Sequence, residues 1–544
     1  MTTARGVARV ATAAPGATEV PPDPMVATTP PRPWRRVATV AVGWVLRHRR
    51  SLVVLIPLLT LVGVAHAAGM SRYPDYVDDP GTYLSQAWSL AYEGRLSPYS
   101  YNYDHAPGGW IQIALWALLT DGFDRYDTAI GFGNECMLLA KLAAAGLLYV
   151  LARRVGLTRP GAAGATLLFA LCPLELVFGR WTFLDNLVTP WLLLAFVLAY
   201  SPRRSIGAAA GAGLAFAMAC LTKETALVLV PAFGWALAQN LDQRNRAYVV
   251  TVAACTGGLL LSLYPLLALY KGELFPGAGH NSLLGTAQWQ LGGRESSGSV
   301  LDPHSPVRGL MTRWFSYDWL LLSLGLAAMP IAAPVRRLRP VALALAIEWL
   351  MLVRGGYVPF MHVLTLMPWS ALLVAGATEA LAGSPALLDS PEQTRRSVAR
   401  TVAAATLALA VTAGTVFAWT PTLRSMTAAH HEPALRSATS WVADNVPRDK
   451  VLVVHDAIWT DLVYRYGFRP RPIMVYKLDT DPAVRRKLDR IDYLVLPNWY
   501  FQTPDGKRKY KTALEARKHA VPVAVFGHGP DGVRVYRVSR YWKP

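Results

Sequence analysis

The sequence predicts a polytopic α-helical membrane protein with a smaller α/β domain at its C-terminal end. The chain has 544 residues, of which 53% are hydrophobic and only 16% are charged. A soluble protein carries about 25% charged residues. Apolar runs recur along the chain as far as residue 420, and many approach the roughly 20 residues that cross a bilayer.

The net charge of +19 is explained by membrane topology. Arginines cluster at alternate ends of the apolar runs, as the positive-inside rule requires of cytoplasmic turns. The sequence has no zinc-finger spacing and no basic helix with interleaved aromatic residues, so nucleic-acid binding is not indicated.

Alternating the turns in this way predicts about eleven transmembrane helices, with thirteen as the upper count. The basic cluster at residues 47–50 precedes the first apolar run and places the N-terminus in the cytoplasm. An odd number of crossings places the C-terminus outside. The predicted spans are 51–69, 128–152, 160–178, 184–200, 206–221, 225–240, 247–270, 318–334, 340–353, 358–381 and 401–420.

These spans divide the chain into three parts. Residues 1–34 are rich in Ala, Pro and Thr and predict a disordered cytoplasmic N-terminus. Residues 35–420 form the membrane domain, with a first outer loop at 70–127 and a polar outer stretch at 271–317 whose helix content is left open. Residues 421–544 alternate strand-like and helix-like runs and predict an extracytoplasmic α/β domain. The expected strands are Val451–Val454, Ile491–Pro497, Val521–Phe526 and Val533–Val538.

Ionisable residues of both signs gather in the turns that this topology places outside. Such residues near a membrane are costly and usually functional. Because several separate segments contribute to one face, we expect an outward-facing polar cavity. The residues are Asp78, Asp79, Asp104, His105, Arg180, Asp185, Lys223, Glu224, His280, and Arg354 with Tyr357.

Five segments resemble motifs of the GT-C glycosyltransferases, in the same order along residues 51–380. The run from Asp79 to Tyr83 is similar to their Asp-Glu-x-x-Tyr motif. The relatives are bacterial protein O-mannosyltransferase-like enzymes and the lipid A aminoarabinose transferase. Two C-terminal segments to which no chemistry is assigned, Asp456–Leu462 and Tyr476–Asp479, resemble actinobacterial members. The other matching segments are Tyr103–Trp110, Gly179–Asn186, Leu221–Pro231 and Arg354–Pro368.

The resemblance implies an inverting transferase at the outer face of the plasma membrane. It would move a sugar from a polyprenyl phosphate, such as decaprenyl phosphate, to a cell-envelope glycan, lipid or protein. Asp79 would be the general base, with Asp78 as its acidic neighbour, and cations would hold the donor phosphate. The sugar, mannose or arabinose among others, is left open. The implied substrate-binding residues are Tyr83, Asp104, His105, Arg180, Asp185, Lys223, Glu224, Arg354, Tyr357 and His362.

Two positions depart from the family pattern. Pro80 replaces the glutamate that follows the catalytic aspartate, and Ala106 replaces the first of two paired prolines. The histidines show no metal-binding spacing, so no metal site is predicted, although a divalent ion remains an alternative.

Structural roles are the alternatives for most of these residues. Asp78 and Asp79 could simply cap a helix that begins near Thr82, without any catalytic role. Asp104 and His105 could form an ordinary turn. The remaining alternatives are an Arg180–Asp185 ion pair, a self-neutralising Lys223–Glu224 pair, and a packed His362.

The functional alternatives are a transporter or flippase of lipid-linked sugars and a catalytically inactive relative that binds glycan or lipid. A transporter is expected to show inverted repeats and charges near the middle of the membrane. The C-terminal domain could hold an acceptor glycan, roof the cavity, or act only as a stabilising cap.

Overall fold

The computed structural model describes residues 33–74, 76–384, 387, 398–428, 434–481, 484 and 488–539. The predicted disordered segment therefore lies almost wholly outside the described residues. Sixteen α-helices precede the C-terminal domain within this described part: α1 Pro33–Ala67, α2 Asp78–Glu93, α3 Gly108–Thr120, α4 Gly122–Arg125, α5 Ala129–Val155, α6 Arg159–Leu171, α7 Pro173–Phe178, α8 Leu184–Ala199, α9 Ile206–Thr222, α10 Val230–Asn240, α11 Arg246–Tyr270, α12 Leu283–Gln288, α13 Pro306–Ala332, α14 Arg339–Val353, α15 Val363–Leu381 and α16 Val398–Ala428.

The fold class predicted from the sequence is confirmed, and each predicted span overlaps a helix. Among the described residues, six helices are long and apolar enough to cross a membrane, and three shorter apolar helices lie at α3, α8 and α9. The figure of eleven crossings stays a prediction. The six candidate spans are Val45–Ala67, Ala129–Val155, Arg246–Tyr270, Pro306–Ala332, Phe360–Leu381 and Ala405–Met426.

Local sequence explains where several helices begin and break. The Thr128 side chain accepts a hydrogen bond from the Gly131 N–H and caps α5, which ends at Gly156 with a φ of 109°. Inside α13, Asp318 has a φ of −151° and a ψ of 88°. This kink coincides with the start of the predicted span 318–334, so the end of the polar stretch, residues 306–317, is the first part of α13, and α12 lies earlier in the same stretch.

The centre of the membrane domain is built around α15. It packs against α6 and α13, and 89% of its most apolar stretch is buried inside the protein. α8 lies against α5 and α9, and small residues allow α9 and α11 to pack closely. A Cβ at Gly213 would lie 2.0 Å from the carbonyl oxygen of Ala253, so only glycine fits there.

The C-terminal domain contains the α/β sheet that the alternating pattern predicts. Five strands are ordered β2-β1-β3-β5-β4, with β2, β1 and β3 parallel and β5 antiparallel to both neighbours. All four expected strands are present, and the two-residue β2 is an addition. The strands are β1 Leu452–Val454, β2 Ile473–Met474, β3 Tyr493–Pro497, β4 Ala520–Phe526 and β5 Val533–Val538, and the helices are α17 Ala434–Asn445, α18 Asp456–Thr460, α19 Lys477–Thr480, α20 Trp499–Gln502, α21 Pro504–Lys509 and α22 Lys511–Lys518.

The first outer loop is largely helical and lies directly against this domain. α2 contacts α18 so closely that a Cβ at Gly81 would lie 2.2 Å from the carbonyl carbon of Asp456. The Thr82 hydroxyl donates to Asp456 Oδ2 at 2.7 Å, and the rings of Trp88 and Trp459 meet edge to face. The C-terminal domain is therefore joined to the loop that carries Asp78 and Asp79.

Candidate active site

Asp78 lies in the first turn of α2 and is fixed by side chains of the C-terminal domain. Its Oδ1 accepts a hydrogen bond from the Tyr500 hydroxyl at 3.1 Å and lies 2.8 Å from His455 Nε2. Its Oδ2 accepts from the Tyr510 hydroxyl at 2.5 Å, and Lys509 Nζ lies 3.5 Å away. Burial opposes ionisation of Asp78, but the contacts of His455, Lys509 and Tyr510 hold its pKa below the usual range. Asp78 is therefore a charged anchor between the loop and the domain.

The tautomer of His455 follows from its second contact. His455 Nδ1 accepts a hydrogen bond from the Ala457 N–H at 3.1 Å and caps α18. A neutral imidazole that accepts at Nδ1 carries its proton on Nε2, the nitrogen that faces Asp78. His455 thus links the start of α18 to the start of α2.

In the described part of the chain, Asp79, the next residue, lacks contacts of the kind that hold Asp78. It is half-buried, and no described residue forms a hydrogen bond or ion pair with its carboxylate. Burial raises the pKa of Asp79, the charges of Lys509, Lys223 and His105 oppose that rise, and Asp78 adds to it. An unengaged carboxylate with a raised pKa is suited to accepting a proton.

Tyr83 lies one turn further along α2 and marks the centre of the predicted cluster. Its buried ring stacks on Trp110, with the ring centroids 6.4 Å apart. Burial, followed by the negative charges of Asp79, Asp185 and Asp104, keeps the pKa of the Tyr83 hydroxyl well above its ordinary value. These three carboxylates therefore surround one tyrosine.

Glu224 organises the turn that holds His105. His105 Nδ1 lies 3.0 Å from Glu224 Oε2, and the Ala106 backbone N–H donates to Glu224 Oε1. A proline at position 106 has no N–H to donate, so this departure from the family pattern supplies a hydrogen bond. The alternative in which Lys223 neutralises Glu224 is wrong.

Lys223 instead forms an ion pair with Asp185. Nζ of Lys223 donates to Asp185 Oδ2 at 2.7 Å, and both side chains are buried. Lys223 occupies the break between α9 and the following 3₁₀ turn, where its φ is −157° and its ψ is 126°. The alternative Arg180–Asp185 ion pair is absent from the described contacts.

Arg180 is engaged by the end of the first membrane helix. Its guanidinium donates to the carbonyl oxygens of Ala65 and Ala68 at 3.0 Å and of Tyr73 at 3.2 Å. A cation at a helix C-terminus is stabilised by the helix dipole. These contacts occupy the guanidinium N–H donors of Arg180, a residue that the family resemblance predicts to bind substrate.

The residues of the Arg354–Pro368 segment lie in two environments, one exposed and one buried. Arg354 and Tyr357 are exposed, and the guanidinium of Arg294 lies 3.3 Å from the centroid of the Tyr357 ring. His362 is buried, donates from Nε2 to the Glu348 carbonyl oxygen at 3.1 Å, and lies 3.5 Å from the Glu348 carboxylate. The packed-histidine alternative agrees with this geometry.

The predicted site residues thus fall into distinct groups. One group interacts electrostatically around Asp79, and Glu224 joins it through His105. Arg180 and His362 make contacts that stabilise helices, and Arg354 and Tyr357 lie at the exposed end of α14. The group around Asp79 contains Tyr83, Asp104, His105, Asp185 and Lys223.

Four residues at the site were missed by sequence reasoning: His455, Tyr500, Lys509 and Tyr510. Tyr500 and Tyr510 reach Asp78 across 422 and 432 residues of sequence. No local motif marks such a contact. The one available signal was the unassigned segment beginning at Asp456, which directly follows His455.

Pro80 also has a structural explanation. It is buried in the first turn of α2, where the missing backbone N–H leaves no helical hydrogen bond unmade. Within the described part of the chain, no group of three or more His, Cys, Asp or Glu side chains could hold a metal ion.

Comparisons with known proteins agree with this architecture. Residues 104–267 match the family model of dolichyl-phosphate-mannose-protein mannosyltransferases, a region that begins after the Asp78–Asp79 turn. A comparison with curated proteins finds no match.

Two solved proteins are similar over nearly the whole chain. ArnT from Cupriavidus metallidurans bound to undecaprenyl phosphate is 15% identical, with a TM-score of 0.55, covering 91% of this chain and 98% of that one. The Archaeoglobus fulgidus oligosaccharyltransferase is 12% identical, with a TM-score of 0.51, covering 92% and 75%. The resemblance to actinobacterial members stays a prediction. The resemblance to GT-C glycosyltransferases is confirmed, and the chain has the fold of that superfamily.

Proposed function

We propose that this protein is an inverting glycosyltransferase that uses a polyprenyl-phosphate-linked sugar at the outer face of the membrane. The observation that carries the proposal is the contrast between two adjacent carboxylates. Asp78 is held by the C-terminal domain, whereas Asp79 is half-buried and unengaged among the described residues. A base must be free to receive a proton, and only Asp79 of the two is free.

The reaction is a single displacement at the anomeric carbon. The acceptor hydroxyl oxygen forms the new C–O bond while the bond between the sugar and the phosphate oxygen breaks. Asp79 takes the hydroxyl proton, and the polyprenyl phosphate leaves with the additional negative charge. Inversion follows from one displacement, so a second carboxylate nucleophile is not required.

The developing phosphate charge needs a cation with unused donors. Lys223 is paired with Asp185, and Arg180 donates to three carbonyl oxygens. Arg354 is exposed and donates no hydrogen bond to the described residues, so it is the best available phosphate ligand of the three. A structural neighbour with the same fold holds undecaprenyl phosphate, which supports a lipid phosphate as the donor.

The acceptor is proposed to be a cell-envelope glycan, lipid or protein, and the sugar either a hexose or a pentose. Mass spectrometry of envelope glycans and glycoproteins from cells that carry wild type or Asp79→Asn tests both. The variant is expected to lose the modification while keeping normal protein levels. Asp127→Asn, an exposed aspartate of the same outer loop, is the matched control. Full modification in the Asp79 variant would refute the proposal.

A further inference from the structure

Several side chains of the C-terminal domain pack around the start of α2. Tyr500 and Tyr510 are fully buried, and their ring centroids lie 4.0 Å apart. His455 stacks on Tyr500, and all three rings converge on the Asp78 carboxylate. The Asp78 side chain is only 15% exposed, and a largely buried carboxylate is costly unless its hydrogen bonds are satisfied.

The ammonium group of Lys509 lies beside this anchor. Lys509 is the last residue of α21 and directly precedes Tyr510. Its Nζ lies 3.5 Å from Asp78 Oδ2 and 5.1 Å from the centroid of the Tyr510 ring. The lysine contact is the longest of the four to Asp78, and three other groups already satisfy that carboxylate. The ammonium group therefore keeps unused donors beside the first turn of α2.

We propose that the C-terminal domain completes the reaction centre, and that Lys509, which lies 3.5 Å from the Asp78 carboxylate, is a positioning residue whose charge acts on Asp79, the next residue of the chain. The proposal deepens the function proposed above and rests on Asp79 being the base. It gives the C-terminal domain a role beyond that of a stabilising cap.

The charges that face Asp79 come from four elements. Asp78 lies on α2 itself, His105 precedes α3, Lys223 follows α9, and Lys509 ends α21. Lys223 is neutralised by Asp185, and His105 contacts Glu224. Lys509 also has the largest opposing effect of these charges on the burial-raised pKa of Asp79.

The sign of the expected effect follows from this arrangement. Burial favours the protonated form of Asp79, and a nearby positive charge favours the ionised form. Removing the Lys509 charge raises the pKa of Asp79 further. At mildly acidic pH, a smaller fraction of the enzyme then carries an ionised base.

The test is to titrate Asp79 in the full-length protein with and without this lysine. Carbodiimide coupling modifies protonated carboxyl groups, and peptide mass spectrometry reports the modified fraction of Asp79 across a pH series without any substrate. In Lys509→Met, the midpoint is expected to rise by about half to one pH unit, the effect of removing one solvent-screened charge. Lys509→Arg keeps the charge and is expected to titrate like wild type. Lys507→Met, an exposed lysine of the same helix, is the matched control.

The pH–rate profile of sugar transfer is the second readout. Its acid limb is expected to move in Lys509→Met by the same amount as the labelling midpoint. A purely structural role would instead lower the rate at all pH values and lower the Tm. Lys509→Gln serves as a second charge-removing variant if Lys509→Met does not fold.

The outcomes separate the two proposals. An unchanged midpoint in both charge-removing variants would overturn the role of Lys509, whatever the catalytic activity. If the Asp79 midpoint shifts in the Lys509 variants but Asp79→Asn keeps full activity, the effect of Lys509 on Asp79 stands and Asp79 is refuted as the base.

Discussion

Gly81 allows the sharpest test of how the C-terminal domain meets the first outer loop. A Cβ at this position would lie 2.2 Å from the Asp456 carbonyl carbon and 2.3 Å from the Ala457 nitrogen. Ordinary contact begins near 3.4 Å, so α2 and α18 would have to separate by 3.4 − 2.2 = 1.2 Å. Both atoms belong to the backbone, so no side-chain rotation relieves the contact.

Gly81→Ala is therefore expected to affect stability and activity together. Overpacking of this kind costs about 1–3 kcal/mol, which lowers the Tm measured by intrinsic fluorescence. Asp79 lies two residues before Gly81 and moves with it, and a displacement of about 1 Å at a catalytic group can reduce the rate about 100-fold.

The control is Gly164→Ala in α6, because a Cβ there meets nothing within 4 Å. Its helix propensity favours alanine by up to about 1 kcal/mol, so wild-type or slightly higher stability is expected. Wild-type Tm and activity in Gly81→Ala would contradict the close packing of α2 on α18.

Three further changes test other parts of the site. Ala106→Pro removes the N–H that binds Glu224, and a hydrogen bond to a charged group contributes about 1.5–3 kcal/mol, so thermal unfolding is expected at lower temperature than for Ala106→Ser, which keeps the N–H. Asp78→Asn weakens the anchor and leaves Lys509 without its charge partner, so limited proteolysis is expected to release the C-terminal domain faster than in wild type; equal rates would contradict the anchor. Burial raises the pKa of Asp461 to about 7, so ionisation of this carboxyl progressively costs folded stability between about pH 4 and pH 7. Asp461→Asn is expected to raise the Tm more at pH 8.5 than at pH 5, and an equal change at both pH values would refute the role of burial.

The membrane helices could be predicted because their signals are local. Apolar length and flanking arginines placed a helix at every expected span, and even the α13 kink coincided with a predicted boundary. The sequence predicts neither α3, which lies within the first outer loop at 70–127, nor β2, whose two residues carry no alternation. Their formation depends on tertiary contacts, such as the fit of Gly108 against the carbonyl oxygen of Leu221.

The site residues show the same limit. Motif order identified the carboxylates around Tyr83, but it could not decide which cation each carboxylate would bind. Lys223 was predicted to bind substrate, with a Lys223–Glu224 pair as the structural alternative, and it pairs with Asp185, 38 residues away. The anchor of Asp78 requires residues more than 370 positions away, where spacing in the sequence carries no information.

The central claim is that Asp79 drives transfer from a lipid-linked sugar. Its most direct test is the release of polyprenyl phosphate from a defined polyprenyl-phosphate sugar by the purified protein in detergent, measured by mass spectrometry in the presence of an envelope acceptor. Detergent removes any gradient, so a transporter gives no product. Wild type is expected to release polyprenyl phosphate together with glycosylated acceptor, and Asp79→Asn to release neither above background. Equal release by the two proteins would contradict the account.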